Sequence, residues 1–377
     1  MKNHYQLKQR TFNGRIRVGI GSERIYDQSV WTTLVKGWVQ HLNPEIFEIY
    51  IFHFGTKHDS ETELAKAAAT VFVDDKVTLS QWAEAILEAE IEVLIYPDIG
   101  MNTMTTKLAS LRLAPIQVAS WGHPETTGLP TIDYFISAED LESDNSQENY
   151  TERLVKLPHL GCCYPDFEFS PISLDLARLG IDANLPVLIC PGAPFKYAPQ
   201  YDWVFVEIAK RLGQCQMVFF SEARSTRSDR FEKRLSHVFK RAGLGFHESC
   251  LFLPWLNPSE FFGLMKRADV FLDTIGFSGF NTAMQGVECG LPIVTREGHF
   301  MRGRLASGIL KRMDLSELVA QSEDEYISLA VKLVRDREYQ QYIRERIATS
   351  SNKLFGDLEP IRALEQFLIS VSRPPPT

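Results

Sequence analysis

Long hydrophobic runs are missing from this chain: nothing approaches the roughly 20 apolar residues that a membrane-crossing helix needs. The opening stretch, MKNHYQLKQRTFNGRIRVGIG, is basic but has no apolar core of the kind a secretory signal carries. The two absences together predict a cytoplasmic protein without a transmembrane segment. Cysteine is sparse, with six in 377 residues, at positions 162, 163, 190, 215, 250 and 289. None has metal-ligand spacing, and most sit in apolar surroundings, so reduced core thiols are expected rather than disulfides. An excess of positive charge is missing too. Forty Lys and Arg stand against 48 Asp and Glu, a net charge of -8. No broad field attracts phosphate polymers, so nucleic acid is not an expected partner, although a local basic pocket is allowed. Also absent are the P-loop GxxxxGK[ST], the GxSxG elbow, HExxH and zinc spacings. No DxD pair is present to hold a divalent ion against a nucleoside diphosphate. The expectation is a site with no metal and no cofactor.

What is present reads as a soluble α/β protein. Hydrophobic residues make up 44% and charged residues 23%, ordinary for a globular chain. The length predicts two domains. Strand and helix patterns alternate from Arg15: strands at 15–20, 47–54, 92–96, 116–121 and 134–137, with helical spacing at 30–42 and 79–89. Such alternation means right-handed crossovers and a parallel sheet. The acidic run 139–152 (EDLESDNSQENYTE) reads as an exposed loop or short surface helix. A junction is expected near Pro165 to Pro171. The rhythm then restarts, with strands at 186–190, 216–220, 250–252, 270–273 and 292–294, helices at 201–212, 227–242, 258–268 and from Asn281, and a largely helical stretch at 316–346. The expected domains are 1–165 and 166–355, followed by a C-terminal segment 356–377 whose PPP tail frays.

Four constellations carry candidate chemistry. In Asp273-Thr274-Ile275-Gly276-Phe277-Ser278-Gly279-Phe280-Asn281-Thr282 a strand runs through glycines into a helix start. Free amides of a first turn and the helix dipole favour an anion there. Asn281 and Thr282 add side-chain donors, and Gln285, one turn on, suits a ribose or sugar hydroxyl. A tight turn with a helix cap is the plainer alternative. Lys196 follows the strand at 187–190, placed as a counter-charge for a diphosphate, or else as a solvated surface lysine. Arg302 and Arg304, in FMRGR after the strand at 292–294, suit either anion recognition or a surface ion-pair network. His123 and Asp98 follow strands in the run PDIGMNTMTTKLASLRLAPIQVASWGHPETTGLPTIDYF. Both are acid/base candidates, with a structural histidine and a turn-capping aspartate as the alternatives.

Three stretches carry a family resemblance: LASLRLAPIQVASWGHPETTGLPTIDYF, CPGAPFKYAPQ and ADVFLDTIGFSGFNTAMQGVECGLPIVT with FMRGR after it. Together they resemble the catalytic region of the O-GlcNAc transferase/SPINDLY family of glycosyltransferases, especially its bacterial members. The resemblance covers about residues 15 to 355. It implies a GT-B fold: two facing Rossmann-like domains with parallel sheets, an interdomain cleft, and a C-terminal helix (358–370) that crosses back to the first domain. It implies inverting, metal-independent transfer of a sugar from a nucleotide sugar to a protein or glycan acceptor. Lys196 matches the lysine that stabilises the diphosphate. Asn281 and Thr282 match the phosphate-binding helix-start positions, and Ser278 and Gly279 belong to the same candidate helix start. Gln285 falls where the family usually has an acidic residue for the ribose. Phe280 stands where animal members have a histidine. Ser22 to Gln28 replaces a histidine-bearing loop and leaves Asp27 as a third candidate base beside His123 and Asp98. UDP-GlcNAc is the default donor, with UDP-glucose and GDP-fucose as related options. The tetratricopeptide array that commonly precedes this region is not in the chain. Two other activities share the features: a binding protein that holds nucleotide sugar without turnover, and a nucleotide-sugar 2-epimerase.

Overall fold

The computed structural model describes residues 14–167, 172, 174–222 and 225–373. The first 13 residues, positions 168–171 of the expected junction and the tail at 374–376 lie outside them. The chain divides into two compact units, Met1–Pro165 with Phe355–Thr377, and Asp166–Leu354.

The first unit holds β1 (Ile16–Ser22), α1 (Lys36–His41, preceded by a π-helical turn at Trp31–Val35), β2 (Phe47–His53), α2 (Ser60–Ala68) and β3 (Val71–Val73). It continues with α3 (Leu79–Glu88), β4 (Val93–Tyr96), α4 (Thr103–Ala109), β5 (Ile116–Ser120), β6 (Tyr134–Ala138) and β7 (Arg153–Leu157). The strands form one parallel sheet in the order β3-β2-β1-β4-β5-β6-β7. The central strands are buried throughout, Val93, Leu94, Ile95 and Tyr96 all at 0% exposure. That explains their unbroken apolar runs, because a parallel sheet is covered on both faces. Helix α3 starts at a reciprocal capping box between Thr78 and Gln81 and buries Trp82, Ala83 and Ile86.

The second unit holds β8 (Val187–Cys190), α5 (Asp202–Leu212), β9 (Gln216–Ser221), α6 (Thr226–Arg241), α7 (Phe246–Ser249), β10 (Cys250–Pro254) and α8 (Pro258–Arg267). There follow β11 (Val270–Leu272), α9 (Asn281–Glu288), β12 (Ile293–Arg296), α10 (Leu305–Arg312), β13 (Val319–Ala320), α11 (Glu323–Arg335) and α12 (Arg337–Ser350). Its parallel sheet runs β10-β9-β8-β11-β12-β13. The last helix, α13 (Glu359–Ser372), belongs to the first unit. There Glu365 accepts from the Asn43 amide at 2.8 Å, and Phe367 meets Tyr134 edge-on at 5.2 Å.

In both sheets the chain order reverses once, between β1 and β4 in the first and between β8 and β11 in the second. Such a reversal opens a crevice at the strands' carboxyl ends, where ligands bind in doubly wound sheets.

Several elements differ from the sequence expectation. Helix α2 has little apolar signal in the sequence, because only Thr62 and Ala65 are buried in it; a capping box at Asp59 starts it instead. Strands β3, β7 and β13 are short or lie at sheet edges and lack a strong period. The stretch 316–346 is largely helical as expected, in two helices: Ser322 caps α11 and Asp336 caps α12. The acidic run 139–152 is not simply exposed, since Glu142 and Glu152 are 7% and 2% accessible. Glu142 accepts from Ser137 at 2.5 Å and from Tyr150 at 2.6 Å, which satisfies its buried charge. All six cysteines are free and buried. No described helix is long and apolar enough to cross a membrane.

Candidate functional site

The second unit gathers most of the candidate residues at its crevice. Lys196 lies just after β8, and the Gly-bearing loop lies between β11 and α9. The two loops meet: Lys196 Nζ donates to the Ser278 carbonyl at 2.9 Å, across 82 positions of sequence, and sits 4.5 Å from the Phe277 ring centroid. Burial pushes the Lys196 ammonium down to about 8, opposed by the negative charge of Asp273. Helix α9 begins without any side-chain cap. Its first-turn dipole and the Lys196 cation therefore act on the same loop, an arrangement that attracts an anion.

The loop is held by a carboxylate beneath it. Asp273 accepts from the Ser278 hydroxyl at 2.7 Å, from the Thr295 hydroxyl at 2.7 Å and from the Gly279 amide at 2.9 Å. Gly279 lets Thr282 approach closely, since a Cβ there would lie 2.3 Å from Thr282 Oγ1 and force that hydroxyl to move. Phe280 is buried, whereas Asn281, Thr282 and Gln285 are half-buried along the first turns of α9.

One expectation changes here. The Ser278 side chain is not placed to bind a ligand: its hydroxyl donates to Asp273 and accepts from the Ala306 amide at 2.8 Å. Arg304 takes part in an ion pair, the second of the two roles its position suggests. Its guanidinium lies 3.0 Å from Glu297, which also takes Lys311 at 2.5 Å. Arg302 differs from its neighbour: its carbonyl accepts from the Ser278 amide at 2.7 Å, and its guanidinium lies 5.7 Å from the Phe300 ring centroid.

One support has no clear signal in the sequence. Arg234 on α6 grips Asp202 with two hydrogen bonds, 2.6 and 3.1 Å, and donates to the Tyr197 carbonyl at 2.6 Å. It thus fixes the backbone next to Lys196. Its only sequence signal is an arginine amid other basic residues of α6, which singles out nothing.

In the first unit, β4 and β5 end side by side. His123 packs on Gly100, where a Cβ would lie 2.8 Å from its ring, and faces Glu125 at 3.7 Å. Its side chain is 30% exposed. The loop bearing it is pinned by Glu152, which accepts from the Thr126 hydroxyl at 2.7 Å and the Thr127 amide at 2.8 Å.

Asp98 is sealed at 0% exposure, receives the Ser22 hydroxyl at 2.9 Å and has Arg24 at 4.0 Å. Burial pushes its carboxyl up to about 6. Its side chain does not cap the turn at Ile99-Gly100; its backbone carbonyl does, accepting from Met101 at 3.1 Å. As arranged, Asp98 joins β1 to β4 and meets no acceptor. Asp27 is exposed, with its amide donating to Asp59 at 2.9 Å.

Among the described residues one group of potential metal ligands comes together: His159, Asp357 and Glu359. The imidazole spends Nδ1 on Asp357 at 2.7 Å and Nε2 on Glu359 at 3.5 Å. These contacts tie His159 to the segment that leads into α13.

Comparison with known proteins places the chain. A SPINDLY protein of Solanum lycopersicum, described as a probable UDP-N-acetylglucosamine–peptide N-acetylglucosaminyltransferase, is 27% identical over 273 residues, 70% of this chain and 28% of that protein. A UDP-glucose:protein N-beta-glucosyltransferase of Actinobacillus pleuropneumoniae is 25% identical over 287 residues, 74% of this chain and 45% of that one. The chain thus spans less than half the length of these curated relatives. Among solved structures, an O-GlcNAc transferase mutant of Thermobaculum terrenum matches with a TM-score of 0.84 and 23% identity, over 96% of this chain and 68% of the other. A trehalose-6-phosphate structure from E. coli bound with UDP-2-fluoro glucose matches at 0.59 with 11% identity, over 96% of this chain and 100% of the other. These likenesses show the GT-B fold. Residues 1–162 and 229–357 match the family described as glycosyl transferase family 41, so the chain belongs to that family.

Proposed function

We propose that this protein is an inverting glycosyltransferase that moves a sugar from a nucleotide sugar to a protein acceptor without a metal ion. The observation that carries the reading is the Lys196 ammonium held on the Ser278 carbonyl, in the loop that leads into a helix start with no side-chain cap. The acceptor oxygen or amide nitrogen bonds to the anomeric carbon, the bond from that carbon to the diphosphate breaks, and the acceptor's proton passes to a base. Negative charge develops on the leaving diphosphate, and a fixed cation and helix dipole lower that barrier. Lys196, Asn281 and Thr282 are the proposed phosphate contacts, and Gln285 a contact to a donor hydroxyl. Among the candidate bases His123 is preferred, since it is partly exposed whereas Asp98 is sealed. UDP-GlcNAc is the first donor to test, then UDP-glucose, the donor named for the Actinobacillus relative, and GDP-fucose.

The test is a thermal-shift series with each nucleotide sugar, because a native-state ligand raises the melting temperature, followed by mass spectrometry of acceptor proteins. Failure of all UDP and GDP compounds to bind at millimolar concentration would refute the proposal. His123→Ala should lower kcat by about 10²- to 10⁴-fold, the usual worth of a general base, with UDP affinity unchanged. Unaltered turnover would remove His123 from the mechanism.

A second reading, donor binding without transfer, draws on the neutral Gln285 and the sealed Asp98. Donor binding without any product from any acceptor would favour it.

A further inference from the structure

Asp273 follows β11 and is 4% exposed, so it does not meet a ligand itself. Three donors converge on its carboxylate: the hydroxyls of Ser278 and Thr295 and the amide of Gly279. The Tyr326 hydroxyl also donates to its backbone carbonyl at 2.9 Å. Ser278, which its carboxylate holds, has every polar group engaged. Its amide donates to Arg302, its hydroxyl bridges Asp273 and Ala306, and its carbonyl receives Lys196. The cation and the carboxylate are therefore joined through one serine rather than by direct contact.

Burial raises the Asp273 carboxyl, and the three donors together with the Lys196 charge oppose that rise. The titratable groups that feel its charge are Lys196, Tyr197 and Tyr326. Burial pushes both phenols far above their ordinary range, so at working pH they stay neutral. Lys196 faces the Asp273 charge, the Phe277 ring and the Ser278 carbonyl.

We propose that Asp273 is a positioning residue for the donor site: it gathers the 274–280 loop around its carboxylate and supplies the counter-charge that keeps the half-buried Lys196 cationic. The inference rests on Lys196 being the cation that meets the diphosphate. The arrangement has a cost and a use. A carboxylate near a phosphate site repels the ligand, but this one spends its lone pairs on the loop and stabilises the charge that binds it. Thr295 on β12 and Ser278 thereby become parts of the same device.

The experiment reads Lys196 directly. In protein labelled with ¹³C at lysine Cε, the Lys196 resonance is assigned by its loss in Lys196→Arg and followed from pH 6 to 10. The native midpoint is expected near 8. Asp273→Asn keeps the shape and an acceptor for the Gly279 amide but removes the charge. Its Lys196 midpoint should fall by about one pH unit, the size of a typical charge effect. UDP affinity should then stay within about twofold of native at pH 6.5 and drop about tenfold at pH 8.5, one decade per pH unit of midpoint.

A Lys196 midpoint unchanged in Asp273→Asn overturns the proposal. So does an equal loss of UDP affinity at both pH values, which marks a scaffold role alone. Should Asp273→Asn fail to fold by circular dichroism, Asp273→Ser, which leaves a hydroxyl for the loop and no charge, must show the same fall. If UDP fails to bind the native protein, the donor reading falls, while the Lys196 titration still decides the role of Asp273.

Discussion

Lys196→Ala should leave the second unit folded and reduce sugar transfer by about 10²- to 10³-fold, the range for removing one preorganised group that meets developing charge. The fold is expected to survive because a partly desolvated ammonium contributes little to stability. Its one hydrogen bond, to the Ser278 carbonyl at 2.9 Å, has a net worth of about 1 kcal/mol. Removing it also relieves the desolvation that pushes the amine down to about 8. UDP binding should weaken together with turnover, because the charge that develops on the leaving diphosphate in the transition state is fully present in the UDP product. Steady-state transfer, UDP calorimetry and a melting curve on the same preparation check the three parts. Near-normal turnover in a folded variant would remove Lys196 from the site.

Arg234→Ala carries the largest expected loss of stability. The guanidinium holds Asp202 at 2.6 and 3.1 Å, and the Asp202 side chain is only 3% exposed. Breaking a buried pair strands its other charge, at about 3–5 kcal/mol. Two features moderate that figure. Arg234 is 30% exposed, and Asp202 sits in the first turn of α5, where the helix dipole favours a negative charge. A loss of about 2–3 kcal/mol in urea unfolding at pH 7 is therefore expected.

The pH dependence follows from sign. Burial already raises the Asp202 carboxyl, and Arg234 holds it down. Without the arginine it rises further, so the variant binds a proton on folding and its deficit narrows as pH falls. Equal deficits at pH 7 and pH 4.5 would contradict this origin. Arg234→Lys should rescue little, because one ammonium cannot replace a two-pronged grip on a carboxylate. The variant should also lose donor affinity, since the same guanidinium anchors the Tyr197 carbonyl beside Lys196.

Strand and helix alternation was legible wherever periodicity was strong. Val93 to Tyr96 and Val187 to Cys190 are unbroken apolar runs, and that is what a doubly covered parallel strand requires. Helix α2 was not legible, because a capping box rather than an apolar stripe specifies it. The candidate site was legible as types and places: a lysine after one strand, a glycine loop after another. The division of labour inside it was not. Arg302 and Arg304 look alike in sequence, yet Arg304 pairs with Glu297 while the Arg302 guanidinium lies over the Phe300 ring. Asp98 and His123 look like equal bases, yet one is sealed and the other partly open.

By itself the sequence determined the alternating α/β architecture, the two-part organisation and the identity of the loops, because those depend on neighbours a few positions apart. Tertiary structure alone decided that Lys196 meets Ser278 across 82 positions, that Asp273 lies beneath the loop, and that Arg234 braces the chain next to the lysine. The physical reason is that a charge's partner and its burial are set by which strands become neighbours in the sheet. Here the pairing of β8 with β11 brought two distant loops to one edge.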